Sequence, residues 1–390
     1  MTYFAVLLAL VVSLLLGERL LHDRNRRRIP HRIHVNGIRG KSSVTRLIAA
    51  GLRGGGVRAW GKVTGTEPNI IDDTGREIGI KRMNGASLSE QRTIFSLAAE
   101  AEVDAIVIEC MAVQAQYQQV AEDSFVRSTI GVITNVRADH LEVYGDSYEG
   151  VAAALANTIP YKGVLFTTPG PAVAMFERVA RSRGTRVVAV SADEVEESAL
   201  ESFTYYEHRE NVAVALRVCA ELGVASDVAL AAMATSRPDP GVLRVFQAER
   251  DGTMLHVINA LAANDPDSTI YLHDKLITGR WDCPLIVFVN TRRDRPLRSI
   301  QLGEVLAKIP ADRYVVSGND VRSVLRAAQD SGVARAKLID CAHQKPGELV
   351  NRLFEAGAPE AVVFAIGNTA AGGLETIDAL GVYERRPGGL

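Results

Sequence analysis

The sequence predicts an α/β fold in two domains behind one apolar helix, and three observations carry that prediction. From about residue 32 almost to the C terminus, short apolar runs of strand length alternate with stretches of helical period. At 238–241 the run Pro-Asp-Pro-Gly interrupts the alternation, because two prolines and a glycine cannot continue a helix. Ahead of everything lies a stretch, 3–16, whose single polar interior residue is Ser13.

Composition is compatible with that reading. A chain of 390 residues, 47% apolar and 23% charged, has room for two cores and an appendage. The net charge of -2 excludes a general nucleic-acid binder, which needs a basic excess. Cys110, Cys219, Cys283 and Cys341 form no Cys-x-x-Cys pair, a pattern of reduced cytosolic thiols and not of a disulfide framework or a zinc site.

The apolar stretch continues past Glu18 and Arg19 through Leu20 and Leu21. A spanning helix needs about 20 mostly apolar residues, so this segment is read as a single-pass membrane anchor over residues 1–23. A secretory signal would show basic residues before the run and a small-residue cleavage site after it. Here Arg24, Arg26, Arg27 and Arg28 follow it, which places the remaining chain in the cytoplasm. A buried or interfacial helix with a solvated basic segment is the other reading of the same residues.

The central domain is expected over 24–237. Its strand candidates are 32–36, 104–109, 129–134, 164–168 and 186–190, joined by helices such as the one carrying Val44, Leu47, Ile48 and Leu52. Ser87-Leu88-Ser89-Glu90 reads as a capping box opening a helix toward Glu102. Helices near 210–222 and 227–234 close this half. The second domain, 238–390, is expected to begin with a hairpin, 242–247 and 253–258, turned by Asp251-Gly252. Strands at 285–289, 313–316, 337–339 and 361–366 then alternate with helices in the manner of a smaller Rossmann-like domain without a Gly-x-Gly-x-x-Gly fingerprint.

The most informative segment is 33–43, IHVNGIRGKSS. An apolar strand runs into Gly37-Ile38-Arg39-Gly40-Lys41-Ser42-Ser43, and a helix starts at once. Glycines allow a turn tight enough for several N–H groups to face phosphate oxygens, and the helix places its positive end there. Lys41 has the reach for β- and γ-phosphates, and the Ser42 hydroxyl suits a bridging magnesium ion. A full Walker loop would carry glycine at position 35, where this chain has Val35, so the loop is a shortened form.

Three further segments accompany it. Residues 104–109, DAIVIE, form an apolar strand ending in Glu109, and ligands of α/β sheets gather at such strand ends. Residues 129–145, TIGVITNVRADHLEVYG, bring Asn135 to another strand end with Asp139 and His140 just beyond. Residues 205–211, YYEHREN, open an alanine-rich helix that Asn211 could cap.

In this order the four segments resemble the Mur ligase superfamily: a G-x-x-G-K-[ST] loop, a strand-end glutamate, a T-N-x-x-x-D-H-L segment and an H-N-x-x-N-like helix start. The resemblance covers most of 32–370. It is nearest to the poly-γ-glutamate synthase ligase subunit, the PgsB/CapB type, on the basic-flanked apolar N terminus, KVTGTEPNIIDD at 62–73, PDPGVLRV at 238–245, INALAANDPDST at 258–269 and Gly367-Asn368-Thr369.

The resemblance implies a P-loop-containing central ATPase domain, a Rossmann-like C-terminal domain that closes over the nucleotide, and ATP with Mg2+ as cofactors. Carried to matching positions, Gly37, Arg39, Gly40, Lys41, Ser42 and Ser43 would cradle the phosphates. Ser42 and Glu109, with Thr64, would hold a first magnesium ion and His140 a second. Lys41, Glu109 and His140 would be catalytic, and Asn135 and Asn211 would lie near the adenine. Asn264 and Asp265, and Arg293 within NTRRDR, would approach the nucleotide from the second domain. The implied reaction is γ-glutamyl amide formation through an acyl-phosphate. Glutamate or poly-γ-glutamate would be the substrate and a polytopic subunit of the cytoplasmic membrane the partner, with homo-oligomerisation left open.

Two departures stand out. Many Mur ligases place a carbamylated lysine after the D-H-L segment, whereas here no lysine occurs between His140 and Tyr161 and Ala154 falls near its expected place. Only the anchor precedes the loop, so no UDP-binding domain, and no UDP-linked muropeptide substrate, is expected. A folylpolyglutamate-synthase-like ligase, or a membrane-tethered P-loop kinase or regulatory ATPase of capsule export, are the alternative readings.

Overall fold

The computed structural model describes residues 2–65, 68–82, 85–136, 147–203, 205, 207–239, 242–262, 266–294 and 296–387. It divides into two compact units, Met1–Phe203 with Glu207–Asp239, and Thr204–Tyr206 with Pro240–Leu390.

The first unit starts with a helix, α1 (Thr2–Arg27). Its apolar side chains from Tyr3 to Leu21 are exposed, and it is long and apolar enough to cross a membrane, its most apolar 18-residue stretch having a mean hydropathy of 2.2. Its last turns behave differently. His22, Asn25 and Arg26 are buried against the body of the unit. His22 Nε2 lies 2.9 Å from the Phe125 carbonyl oxygen, and its ring meets Phe95 and Phe125 edge-on at 5.4 and 5.8 Å. Asn25 donates to the Ser96 hydroxyl, and Glu18 pairs with Arg92. Arg26, counted from the sequence with the basic flank, is turned inward and pairs with Asp23 at 2.8 Å, leaving Arg24, Arg27 and Arg28 exposed.

Eight strands form the sheet of this unit in the order β4-β3-β2-β5-β1-β6-β7-β8. They are β1 (His31–Asn36), β2 (Ala59–Val63), β3 (Asn69–Ile71), β4 (Glu77–Gly79), β5 (Ala105–Glu109), β6 (Ile130–Ile133), β7 (Val164–Thr167) and β8 (Arg186–Ala189). The inner strands run parallel, while β3 and β4 extend the edge antiparallel. All five residues of β5 are buried, as expected of a parallel strand covered on both faces. The helices after β1 and before β5, α2 (Lys41–Gly54) and α3 (Glu90–Glu100), cover those faces.

The capping box expected at α3 does not form. Ser89 makes no side-chain cap, and Glu90 is instead bonded by Arg82 at 2.8 and 2.9 Å and paired with Lys62 at 2.7 Å. A fully buried lysine requires an anion beside it, and this requirement outweighs a helix cap. Under β1, His34 pairs with Glu122 at 2.8 Å, and both are buried. Burial opposes the imidazolium, yet bonds to Cys110 and Glu122 outweigh it and raise the His34 pKa to about 9.

The second unit holds seven strands in the order β13-β12-β11-β14-β10-β9-β15. These are β9 (Arg244–Arg250), β10 (Thr253–Asn259), β11 (Leu285–Thr291), β12 (Arg313–Gly318), β13 (Leu338–Asp340), β14 (Glu360–Gly367) and β15 (Glu384–Pro387). The hairpin β9–β10 turns where expected, with Asp251 at φ 52° and Gly252 at φ 80°, both in the region a tight two-residue turn needs. From β10 to β13 the sheet is parallel, and β9 and β15 close one edge antiparallel. Separate apolar clusters pack on its two faces, the layering of a Rossmann-like domain.

Candidate functional site

The loop between β1 and α2 is shaped by contacts that leave no room for side chains. Gly37 has φ 131°, and a Cβ there would come within 2.1 Å of Thr134 Oγ1. Gly40 has φ 80°, and a Cβ would meet Asn211 Oδ1 at 2.7 Å. Gly40 is also the N-cap of α2, and, having no side chain, leaves the first-turn N–H groups open toward an anion.

The neighbouring strand ends hold the loop from below. Asn36 Oδ1 accepts from Gly37 N–H at 2.8 Å, while its amide donates to Gln118 and Thr158. Asn135 grips Arg39 twice, Oδ1 accepting from its N–H and Nδ2 donating to its carbonyl, both at 3.0 Å. Thr134 donates to the same carbonyl at 2.6 Å. The Lys41 ammonium folds over its own loop and donates to the Gly37 and Ile38 carbonyls at 2.8 and 3.2 Å. Ser43 lies in the first turn of α2.

Glu109, at the end of β5, reaches this point from the adjacent strand. Its Oε2 accepts from the Ser42 hydroxyl at 3.0 Å and from Thr64 N–H at 2.6 Å. Thr64 therefore meets the carboxylate through its backbone. A Cβ on Gly65 would sit 2.4 Å from Ser42 Oγ, so the chain after β2 closes directly over the hydroxyl. Behind Glu109, burial lowers the Lys62 pKa, which Glu90 and Glu109 push back up.

The sequence reading did not single out Glu207. It is buried and accepts from Asn211 Nδ2 at 2.7 Å and from His208 N–H at 2.9 Å. Burial raises its pKa to about 7, with the nearby Asp239 charge adding to the rise. Asn211 thus braces Gly40 and does not cap its helix (Arg209–Glu221), whose N-cap is His208. The available signal was the four-residue spacing of Glu207 and Asn211. Beside the loop, and sharing Asn135 with it, opens a cavity of about 470 Å³ lined by Tyr148, Thr168, Pro169, Phe176 and Glu210.

Gly37, Arg39, Gly40, Lys41, Ser42, Thr64, Glu109, Asn135 and Asn211 are thus gathered in one place. His140 lies outside the described residues, as do Asn264 and Asp265. Arg293 belongs to the second unit, exposed just after β11. Ala154 is buried in the helix Tyr148–Leu155, and its methyl group offers no metal ligand.

A family model described as the Mur ligase middle domain matches residues 35–231, and one described as the poly-gamma-glutamate synthase CapB C-terminal domain matches 245–381. The PGA synthase CapB of Bacillus subtilis (strain 168) is 32% identical over 386 residues, spanning 97% of this chain and 98% of that protein. The chain belongs to the CapB family of Mur ligases. A capsule biosynthesis protein CapB of Bacillus anthracis is likewise 32% identical, over 93% of this chain and 79% of its own length. Among solved structures, a Mycobacterium tuberculosis folylpolyglutamate synthase complexed with ADP and AMPPCP superposes with a TM-score of 0.69 at 17% identity, covering 96% of each chain. A Yersinia pestis folylpolyglutamate synthase/dihydrofolate synthase complexed with AMPPNP and a Mn ion gives 0.66 at 16%, covering 93% of this chain and 92% of that one. These two likenesses concern the fold. As a CapB-family Mur ligase, the chain is an ATP-dependent enzyme that forms carbon–nitrogen amide bonds, which sets aside the kinase and regulatory-ATPase readings.

Proposed function

We propose that this ligase lengthens poly-γ-glutamate, activating a γ-carboxylate of glutamate or of the polymer end as an acyl-phosphate that an incoming amino group then attacks. The observation that carries the reading is the Ser42–Glu109 contact at the mouth of a glycine loop that carries Lys41. The CapB-type relatives, matched over nearly the whole chain, support the substrate class.

The residues fit magnesium. Ser42 Oγ and Glu109 Oε2 are hard oxygen donors 3.0 Å apart, close to the roughly 2.9 Å between adjacent ligands of an octahedral ion with bonds of about 2.05 Å. Ser42 and Glu109 would hold the ion, with Thr64 N–H orienting the carboxylate. When bound, such an ion neutralises charge on the transferring phosphoryl group.

The chain's own groups do the rest. The first-turn N–H groups of α2 and the Lys41 ammonium bind phosphate oxygens and stabilise the charge that grows during transfer. Asn135 and Thr134 fix the Arg39 carbonyl, so the loop is preorganised before ATP arrives. The cavity beside Asn135 has room for the adenine, and Glu210, next to Asn211 in the chain, lines it. His140, Asn264, Asp265 and Arg293 complete the proposed set by resemblance. The carboxylate must attack without water intruding, because water would hydrolyse the acyl-phosphate.

The exposed apolar length of α1 supports a single-pass anchor with Arg24, Arg27 and Arg28 at its cytoplasmic end, and the likeness to CapB-type relatives alone suggests a polytopic membrane subunit as partner. The test of the function is ADP and phosphate release by the membrane-bound protein with and without glutamate, with the product identified by mass spectrometry. Glutamate-stimulated release with γ-linked oligomers is expected. Release indifferent to glutamate, with no new amide, would overturn the proposal.

A further inference from the structure

In the second unit, three metal-binding side chains meet at the amino-terminal rim of the parallel strands, away from the carboxyl ends at Asn259, Asn290 and Gly367. His256 lies on β10, Cys283 just precedes β11, and Glu360 opens β14, which lies between β10 and β11. His256 Nε2 is 2.8 Å from Glu360 Oε1, and the ligand atoms of all three residues lie within 4.8 Å of one another.

We propose that His256, Cys283 and Glu360 bind one zinc-class divalent ion that pins these three strands together. One nitrogen, one sulfur and one oxygen make a borderline-soft donor set, which suits zinc and disfavours magnesium or calcium, whose ligands are oxygens. Tetrahedral zinc with bonds of about 2.0–2.3 Å sets its donors roughly 3.3–3.8 Å apart, so side-chain shifts of about an ångström would bring the three donors, 2.8 to at most 4.8 Å apart, to that spacing.

The surroundings orient the imidazole for such a role. The Gln247 side-chain amide stands 3.4 Å from His256 Nδ1. Turned so that its oxygen accepts from Nδ1–H, it leaves the Nε2 lone pair for the ion. Trp281 packs against the His256 ring, tilted by 47° with centroids 4.7 Å apart, and is itself fixed by donating to the Leu276 carbonyl at 2.9 Å. Glu360 is 54% exposed, so the fourth position opens to water and the ion has a path in. The ligands are 27 and 77 residues apart along the chain, which is why no zinc spacing shows in the sequence.

The test uses the full-length, tag-free protein stripped with chelator, then titrated with Zn2+ against a chromophoric indicator and separately with Co2+. One ion per chain is expected, with a thiolate-to-cobalt charge-transfer band. Cys283→Ser should abolish the band, and Cys283→Ser and His256→Gln should each weaken zinc binding by roughly tenfold or more. Absence of the band in the unmodified protein overturns the proposal, and that reading depends on no variant folding. Zinc binding by both variants equal to that of the parent, with unchanged circular dichroism, overturns it as well.

Discussion

The Ser42 hydroxyl donates to the Glu109 carboxylate at 3.0 Å although 67 positions separate them. The contact exists because β1 and β5 are parallel neighbours, with Val35 opposite Glu109, so the loop leaving one strand passes over the end of the other. Topology, not sequence proximity, builds this ligand pair.

Removing either chemical group should stop the reaction while sparing the fold. Lys41 and the buried Glu109 lie outside the apolar core clusters of the first unit, and Glu109→Gln keeps the shape of the side chain. Lys41→Ala should abolish ATP-dependent amide formation, and Glu109→Gln should lower kcat by roughly a hundredfold or more. Product formation by mass spectrometry, beside circular dichroism, checks both. A Glu109→Gln enzyme with unchanged kcat would remove the carboxylate from the mechanism.

Gly37 makes a different prediction. An alanine methyl would need the space of Thr134 Oγ1, 2.1 Å away, on a backbone at φ 131°. Gly37→Ala should cost about 1–3 kcal/mol in urea denaturation and should also raise the KM for ATP. Thr134→Ala, which removes the clashing hydroxyl, should restore part of the stability when combined with it.

Glu207 sets a pH dependence. Its pKa is raised from 4.5 to about 7 when folded. Below pH 4.5 the carboxyl is protonated in both states and its contribution is intact. As pH rises to 7 the unfolded chain ionises first, so stability is lost, by on the order of 3 kcal/mol once the folded pKa is passed. Glu207→Gln should abolish that slope. The gap between variant and parent melting temperatures should therefore widen from pH 5 to pH 8, and a constant gap would contradict the assignment.

Truncation separates the two parts of α1. A chain beginning at Glu18 keeps His22, Asn25 and Arg26 and should fold, while losing its partition into the membrane fraction. A chain beginning at Arg28 loses the His22–Phe125 bond and the edge contacts to Phe95 and Phe125. It should be less stable by roughly 2–4 kcal/mol in chemical denaturation.

Much of the fold was legible because buried parallel strands such as β5, β6 and β7 read as apolar runs, and with β1 and β8 they fall within a residue or two of their sequence positions. The edge escaped. β3 and β4 have three residues each, and the residues of β4 are mostly exposed, so no periodicity marks them. β15, Glu384–Pro387, reads as a charged tail and becomes a strand only because β9 offers it an edge. In the candidate site, residues given chemical roles in the proposed reaction, Lys41, Ser42 and Glu109 among them, stand out in the motif. Asn36, Thr134 and Glu207, which brace the loop, were not readable as Asn135 was, since they matter only once the topology brings them there.

The docking of His22, Asn25 and Arg26 leaves only residues 28–30 between α1 and the first residue of β1. A stem joined to its catalytic body without slack cannot swivel. The helix enters at the amino end of β1, and the glycine loop leaves from the opposite end of that strand. Whatever environment grips the first twenty residues therefore also dictates the direction in which Lys41 faces, and substrate must come to that edge.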